Sequence, residues 1–153
     1  MNLVFGSDHA GYELRRHLAD WAHGQGHTVT EVGSDGTGSY DYPDAADAGC
    51  NLLLRGEAEL VVLVCGTGIG ISIRANRHTG VRAALCTTEL MARMARQHNF
   101  ANALCLGSRI LGTLQAESIL QSFLDTPEST EARHRLRVDK LDQASAGSPP
   151  RNE

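Results

Sequence analysis

Several absences narrow what this chain can be. No stretch of its 153 residues is apolar for long enough to cross a bilayer, and the first residues enter a short strand without the zones of a secretory signal. A cytoplasmic protein is expected. Basic charge is not in excess either: 14 Lys and Arg face 18 Asp and Glu, a net charge of −4, which argues against nucleic acid or an anionic membrane as the main partner. The four cysteines, Cys50, Cys65, Cys86 and Cys105, contain no C-x-x-C pair, and the histidines show no metal-ligand spacing. Neither a zinc knuckle nor a disulfide framework is suggested, and no metal or other cofactor is expected. With 41% hydrophobic and 21% charged residues, the chain suits one globular domain with a substantial core and leaves no room for a second.

What is present is a rhythm of short apolar runs and amphipathic stretches. Residues 2–6, 28–32, 60–65, 81–86 and 101–106 read as buried strands. Helices fall between them. The first carries Leu14, Leu18, Trp21 and Ala22 on one face and ends at Gly24 and Gly26. The second starts at Pro43 and runs to Gly56, a short one covers 71–76, and Thr87 or Thr88 can cap another over 89–97. A further helix over 113–124 is expected to turn Leu114, Ile119, Leu120 and Phe123 inward. A charged helix follows at 129–141, and 142–153 has the composition of a disordered tail, so the expected domain is 1–141.

This alternation without hairpin signals predicts an α/β fold: a five-stranded parallel, doubly wound, Rossmann-like sheet flanked by helices, with a C-terminal helical extension. In the strand order 2-1-3-4-5, the loops after the first and third strands flank the point where ligands bind such sheets. Those loops hold Asp8-His9 and residues 65–70, the two stretches richest in candidate chemistry.

The third strand, Leu60-Val61-Val62-Leu63-Val64-Cys65, breaks abruptly into Gly66-Thr67-Gly68-Ile69-Gly70. Those glycines let a ligand approach the backbone, whose N–H groups lie at the start of a helix; such a site favours anions. The spacing is not the dinucleotide fingerprint, because the third glycine comes one residue early, and no Gly-Lys-Ser/Thr follows as in a nucleoside-triphosphate loop. A cysteine phosphatase needs an arginine six residues after its cysteine, where this chain has Ile71. A receiver-like signalling domain wants an aspartate where Cys65 stands. A non-catalytic sugar-phosphate-binding module would not require Cys65, Asp8 and His98 together.

Gly6-Ser7-Asp8-His9-Ala10-Gly11, Asp41-Tyr42-Pro43, Cys65-Gly66-Thr67-Gly68-Ile69-Gly70-Ile71-Ser72, Arg96-Gln97-His98-Asn99, Gly107-Ser108-Arg109 and Arg133-His134-Arg135-Leu136-Arg137-Val138 occur in this order over 1–141. Together they resemble the ribose-5-phosphate isomerase B family, which also contains allose-6-phosphate and galactose-6-phosphate isomerases. The resemblance implies metal-free aldose–ketose isomerisation of a phosphorylated sugar through a cis-enediolate. It implies Cys65 as the base; some members carry a glutamate further along the loop, where this chain has Ile or Ser. Backbone N–H groups from Gly66, Gly68, Ile69 and Gly70, with Asn99, would hold the enediolate oxygens. His98, with Asp8 and Thr67, would open the sugar ring. Tyr42 would pack on the sugar, and His9, Arg109, Arg133 and Arg137 would hold the phosphate, the last two standing four apart on one helical face. His17, His23, His27, His78 and His134 are left as surface or structural residues.

Topology adds one expectation. Cys65 ends a strand whereas His98 follows a helix and precedes the next strand, so in a parallel sheet they lie at opposite edges. Both can serve one reaction only across a subunit boundary, which predicts a homodimer with shared sites or a tetramer built from it.

Overall fold

Five strands, β1 (Asn2–Ser7), β2 (Thr28–Gly33), β3 (Leu60–Cys65), β4 (Ala83–Leu85) and β5 (Ala103–Gly107), form one parallel sheet in the computed structural model, which describes residues 1–143. Helices α1 (Tyr12–Gly24), α2 (Tyr42–Leu54), α3 (Ile69–Ala75), α4 (Glu89–Asn99), α5 (Thr113–Asp125) and α6 (Ala132–Asp142) complete it. The expected α/β architecture is the one found. The disordered tail expected over 142–153 lies, from 144 onward, outside the described residues; Asp142 itself ends α6 and pairs with Arg82 at 2.9 Å.

The strand order is β2-β1-β3-β5-β4, not 2-1-3-4-5. β5 takes the inner place because all five of its residues are buried, whereas the three residues of β4 are only partly covered and suit an edge. The chain therefore leaves β3, skips one strand position to β4, and returns to β5. Right-handed crossovers then put helices reached by opposite steps on opposite faces. α2 and α3 cover one face, where Ala45, Ala46, Cys50, Ile71 and Ala75 meet Val61, Leu63 and Cys65. α1, α4 and α5 cover the other, where Leu14, Leu18, Ala95, Ile119 and Phe123 meet Val62 and Val64.

Local sequence explains the element ends. The Thr88 hydroxyl accepts the Met91 N–H at 3.2 Å and starts α4, and Pro43 sits in the first turn of α2. In α5 the inward stripe is Ala116, Ile119, Leu120 and Phe123; Leu114, expected inside, is 76% exposed because it precedes that stripe by two residues, about half a helical turn. α4 runs two residues past the expected end at Gln97 and stops where Phe100 adopts φ 50° in the left-handed region, fully buried. Its strain is of order 1–2 kcal/mol, less than the burial of a large aromatic returns. It turns the chain sharply just after His98 and Asn99.

Arg15, 4% exposed, is a buried clamp. Its Nε donates to Glu31 at 3.1 Å, and its Nη1 donates to the carbonyls of Val32 and Ser34 at 2.8 and 2.9 Å. These bonds anchor the start of the glycine-rich segment that runs from β2 to α2. Replacing Arg15 by Met should cost about 1–3 kcal/mol, because two carbonyls lose their donor in a place water reaches poorly. Urea unfolding of the variant checks this; an unchanged midpoint would mean that solvent takes over both acceptors.

Candidate active site

Parallel pairing brings the carboxyl ends of β1, β3 and β5 together. Ser7 pairs with Val64, and Cys65 with Gly107. The three following loops are stitched to each other. Ser108 N–H donates to the Cys65 carbonyl and Arg109 N–H to the Gly66 carbonyl, both at 2.9 Å. The Ser108 hydroxyl, to which the Gly107-Ser108-Arg109 motif assigned no role, contacts the carbonyls of Ala10 at 2.8 Å and Cys65 at 3.2 Å.

Cys65 is 4% exposed, and the Gly68 N–H donates to its sulfur over 3.1 Å. That bond needs the left-handed backbone of Gly68, φ 77°, where a Cβ would lie 2.5 Å from Leu85 Cδ1 and 2.9 Å from the Leu106 carbonyl carbon. Thr67 is exposed beside it, and its hydroxyl takes the Ile69 N–H at 3.3 Å. At Gly70 a Cβ would stand 2.7 Å from Tyr42 Cζ, so the bare backbone is what lets the Tyr42 ring lie on this loop. The Arg109 guanidinium runs along Gly66, about 3.4 Å from where its Cβ would be.

Asp8, 7% exposed, accepts the Gly11 N–H at 2.8 Å and so shapes the turn into α1. His9 is exposed with Nδ1 3.2 Å from both the N and O of Tyr40, which holds its ring against the end of the 33–41 loop. Cys65, Gly66, Thr67, Gly68, Ile69, Gly70, Asp8, His9, Tyr42 and Arg109 therefore form one edge of the sheet. A cavity of about 520 Å³ runs from Tyr42 and Gly70 along Ile73 to Arg77.

The remaining expected site residues lie elsewhere. His98 and Asn99 end α4, which leads into the amino end of β5, where Ala103 pairs with Val61. Four strand residues, about 13 Å, separate that level from Cys65. Arg133 and Arg137 sit on exposed positions of α6, whose buried face is His134 and Val138. Arg133 is bound to Glu131 at 2.6 Å, and α6 packs on α4, away from the loop that carries Arg109. A second cavity, about 560 Å³, is at this other edge, between His78, Arg82, Asn99 and Asp142. His134, expected to be structural or on the surface, is 4% exposed and stacked on His98. No periodicity could flag it, because the apolar Leu136 and Leu141 of the same helix point outward, 58% and 61% exposed.

Among the described residues no group of three or more His, Cys, Asp or Glu side chains converges to hold a metal ion. The cysteines differ sharply in chemistry. Burial pushes the Cys50 thiol up to about 12, with the nearby Asp47 charge adding to it, and the Cys86 thiol up to about 11; complete burial raises Cys105 well above the usual range. Alkylation proceeds through the thiolate. Iodoacetamide at pH 8 should therefore label Cys65 in the folded protein well before the other three, which should react only after unfolding. Peptide mapping by mass spectrometry reads this out, and equal rates at Cys50 and Cys65 would contradict it.

Comparison with known proteins agrees with this geometry. Residues 3–141 match the family model described as Ribose/Galactose Isomerase. The chain is 34% identical over 139 residues to ribose-5-phosphate isomerase B of Escherichia coli, covering 91% of this chain and 93% of that protein. It is 36% identical over 126 residues to D-erythrulose-4-phosphate isomerase of Pectobacterium atrosepticum, covering 82% and 83%. The solved ribose-5-phosphate isomerase B of Clostridium thermocellum superposes with a TM-score of 0.90 at 43% identity, over 93% of this chain and 95% of that one. The chain belongs to the ribose/galactose isomerase family of sugar-phosphate isomerases, which includes the type B ribose-5-phosphate isomerases.

Proposed function

We propose that the protein interconverts ribose 5-phosphate and ribulose 5-phosphate by ring opening followed by a cis-enediolate. The observation that carries this is Cys65 itself: a thiol at the end of a buried strand, holding a backbone N–H at 3.1 Å, on a loop whose glycines admit a ligand to the main chain. Cys65 takes the proton from C2 and returns it to C1, while the hydroxyl proton of O2 passes to O1. As negative charge builds on the two oxygens of the enediolate, N–H groups of the 66–70 loop and the Asn99 amide stabilise it. Such preorganised dipoles act without reorganising at the moment of reaction.

His98 opens the furanose by moving a proton between the ring oxygen and the anomeric hydroxyl, with Asp8 and Thr67 orienting the sugar. Tyr42 covers one side of it. His9, Arg109, Arg133 and Arg137 hold the phosphate through charge-assisted hydrogen bonds. Allose 6-phosphate and galactose 6-phosphate are the alternative substrates, because one further CHOH unit could be taken up by the 33–41 loop and the arginines of α6.

The two edges of the sheet each carry part of this set, and neither carries all of it. A homodimer that sets the Cys65 edge of one subunit against the His98 edge of the other completes two sites about a two-fold axis. The exposed arginines of α6 then reach a phosphate bound at the partner's Arg109.

Coupled assays with ribose 5-phosphate, allose 6-phosphate and galactose 6-phosphate should show the five-carbon sugar turned over with the highest kcat/KM. Cys65→Ala should lose about 10²–10⁴-fold in rate, the range for a missing general base, while still binding a phosphorylated sugar acid. Incorporation of solvent deuterium at C2 is the direct measurement; a normal exchange rate in the variant would remove Cys65 from the role of base.

Sharing of sites is tested by complementation. Inactive Cys65→Ala and inactive His98→Asn proteins, mixed, unfolded and refolded together, should recover about a quarter of wild-type activity, because half of the randomly formed dimers are mixed and each has one intact site. A mixture that refolds to dimers and stays inactive would place both residues in one subunit or deny His98 its part.

A further inference from the structure

α6 turns two side chains inward, His134 and Val138. The His134 ring lies face to face on His98, centroids 4.2 Å apart and planes 3° from parallel. The contact is braced on both sides. Ser129 N–H donates to the Gln97 carbonyl at 3.0 Å just before α6, and the Arg135 guanidinium lies 4.6 Å from the centre of the Phe100 ring just after His98 and Asn99.

Two imidazoles so close cannot both become imidazolium without strong repulsion. The structure indicates which of them stays neutral. His134 Nε2 is buried and has no hydrogen-bond partner among the described residues. A charged ring would carry N–H on both nitrogens, and the one at Nε2 would find no acceptor. The groups acting on His134 are His98 on α4, Glu131 just before α6, and Arg133 and Arg137 on α6. Burial first, then His98, Arg133 and Arg137, hold its imidazole below the ordinary histidine value; Glu131 acts the other way but is itself bound to Arg133.

We propose that His134 is a positioning residue for His98: a ring that remains neutral, fixes the plane of the His98 imidazole and leaves the stacked pair room for a single positive charge, that of the proton His98 exchanges with the sugar. This rests on the ring-opening role of His98 proposed above. Stacking occupies a face of His98 and spares its edge, where both nitrogens lie. While the proton is on His98, a neutral aromatic face beneath it attracts the charge; a second imidazolium would repel it.

Two readouts test this in the full-length protein. The first needs no turnover. Nitrogen–proton NMR of the histidine rings, in the absence of sugar, should show His134 as a neutral tautomer at pH 6.5 and still mostly neutral somewhat below it, whereas an ordinary histidine is half charged at about 6.5. A midpoint for His134 at or above that value overturns the proposal.

The second readout compares His134→Phe, which keeps a flat neutral ring, with His134→Leu, which fills the space without one. The Phe variant should stay within a few-fold of wild type. The Leu variant should lose about tenfold or more in kcat, a share of the 10²–10⁴-fold that a positioned acid–base group supplies, with KM little changed because the arginines remain. Equal losses in both variants, or none in either, would overturn the positioning role. Should either variant fail to fold, as circular dichroism would reveal, the wild-type titration still decides. If wild-type protein turns over no sugar phosphate, the isomerase assignment falls, and the NMR titration independently shows whether His134 is the neutral ring of the pair.

Discussion

Backbone pairing along both edges of β3 is the constraint on which the rest of the molecule depends. β3 is hydrogen-bonded to β1 on one side and β5 on the other, and all six of its side chains are buried. Each buried Val or Leu stabilises the fold by about 1.5–3 kcal/mol relative to exposure. Its alternation is also what aims the thiol. Val62 and Val64 face α1, α4 and α5, while Val61, Leu63 and Cys65 face α2 and α3. A slip of one residue would exchange these sets and turn Cys65 to the wrong face. Register and the position of the sulfur are therefore one and the same constraint.

From that strand the loops inherit their places. Ser108 and Arg109 are tied to the carbonyls of Cys65 and Gly66, and Ser108 also reaches Ala10, so the ends of β1, β3 and β5 are joined by fixed hydrogen bonds. Side chains attached to a rigid edge are held more closely than side chains on free loops. The long 33–41 segment is the exception, and it is pinned at its ends: by Arg15 at Val32 and Ser34, and by His9 at Tyr40. This leaves its middle, Asp35 to Gly38, exposed.

The division of functional groups between two edges also has a physical origin. A parallel sheet sends every strand in one direction, so every crossover helix ends near the amino edge. His98 and Asn99 stand there because α4 ends there, and the left-handed turn at Phe100 fixes how abruptly it does so. The arginines of α6 join them through the packing of α6 on α4. One subunit thus presents two separate sets of chemical groups: a thiol on a glycine-rich loop at one edge, and imidazole, amide and guanidinium groups at the other.

Much of this was legible in the sequence, for local reasons. Apolar runs of strand length, helical spacing of Leu14, Leu18 and Ala22, and the threonine before Glu89 are short-range signals, and each produced the element expected of it. The direction of the strands followed from the absence of hairpin turns, and with it the separation of Cys65 from His98. Tertiary structure alone decided the rest. Whether β4 or β5 is the edge strand depends on which of them is covered on both sides, and that is settled by the path of the crossovers. Leu114 and Ala116 exchanged places because the orientation of α5 on the sheet, more than apolarity, selects the inward stripe. His134 went inward past Leu136 and Leu141 because α6 packs on α4 where the exposed face of His98 offers a flat partner, a complementarity between two helices that no single segment encodes.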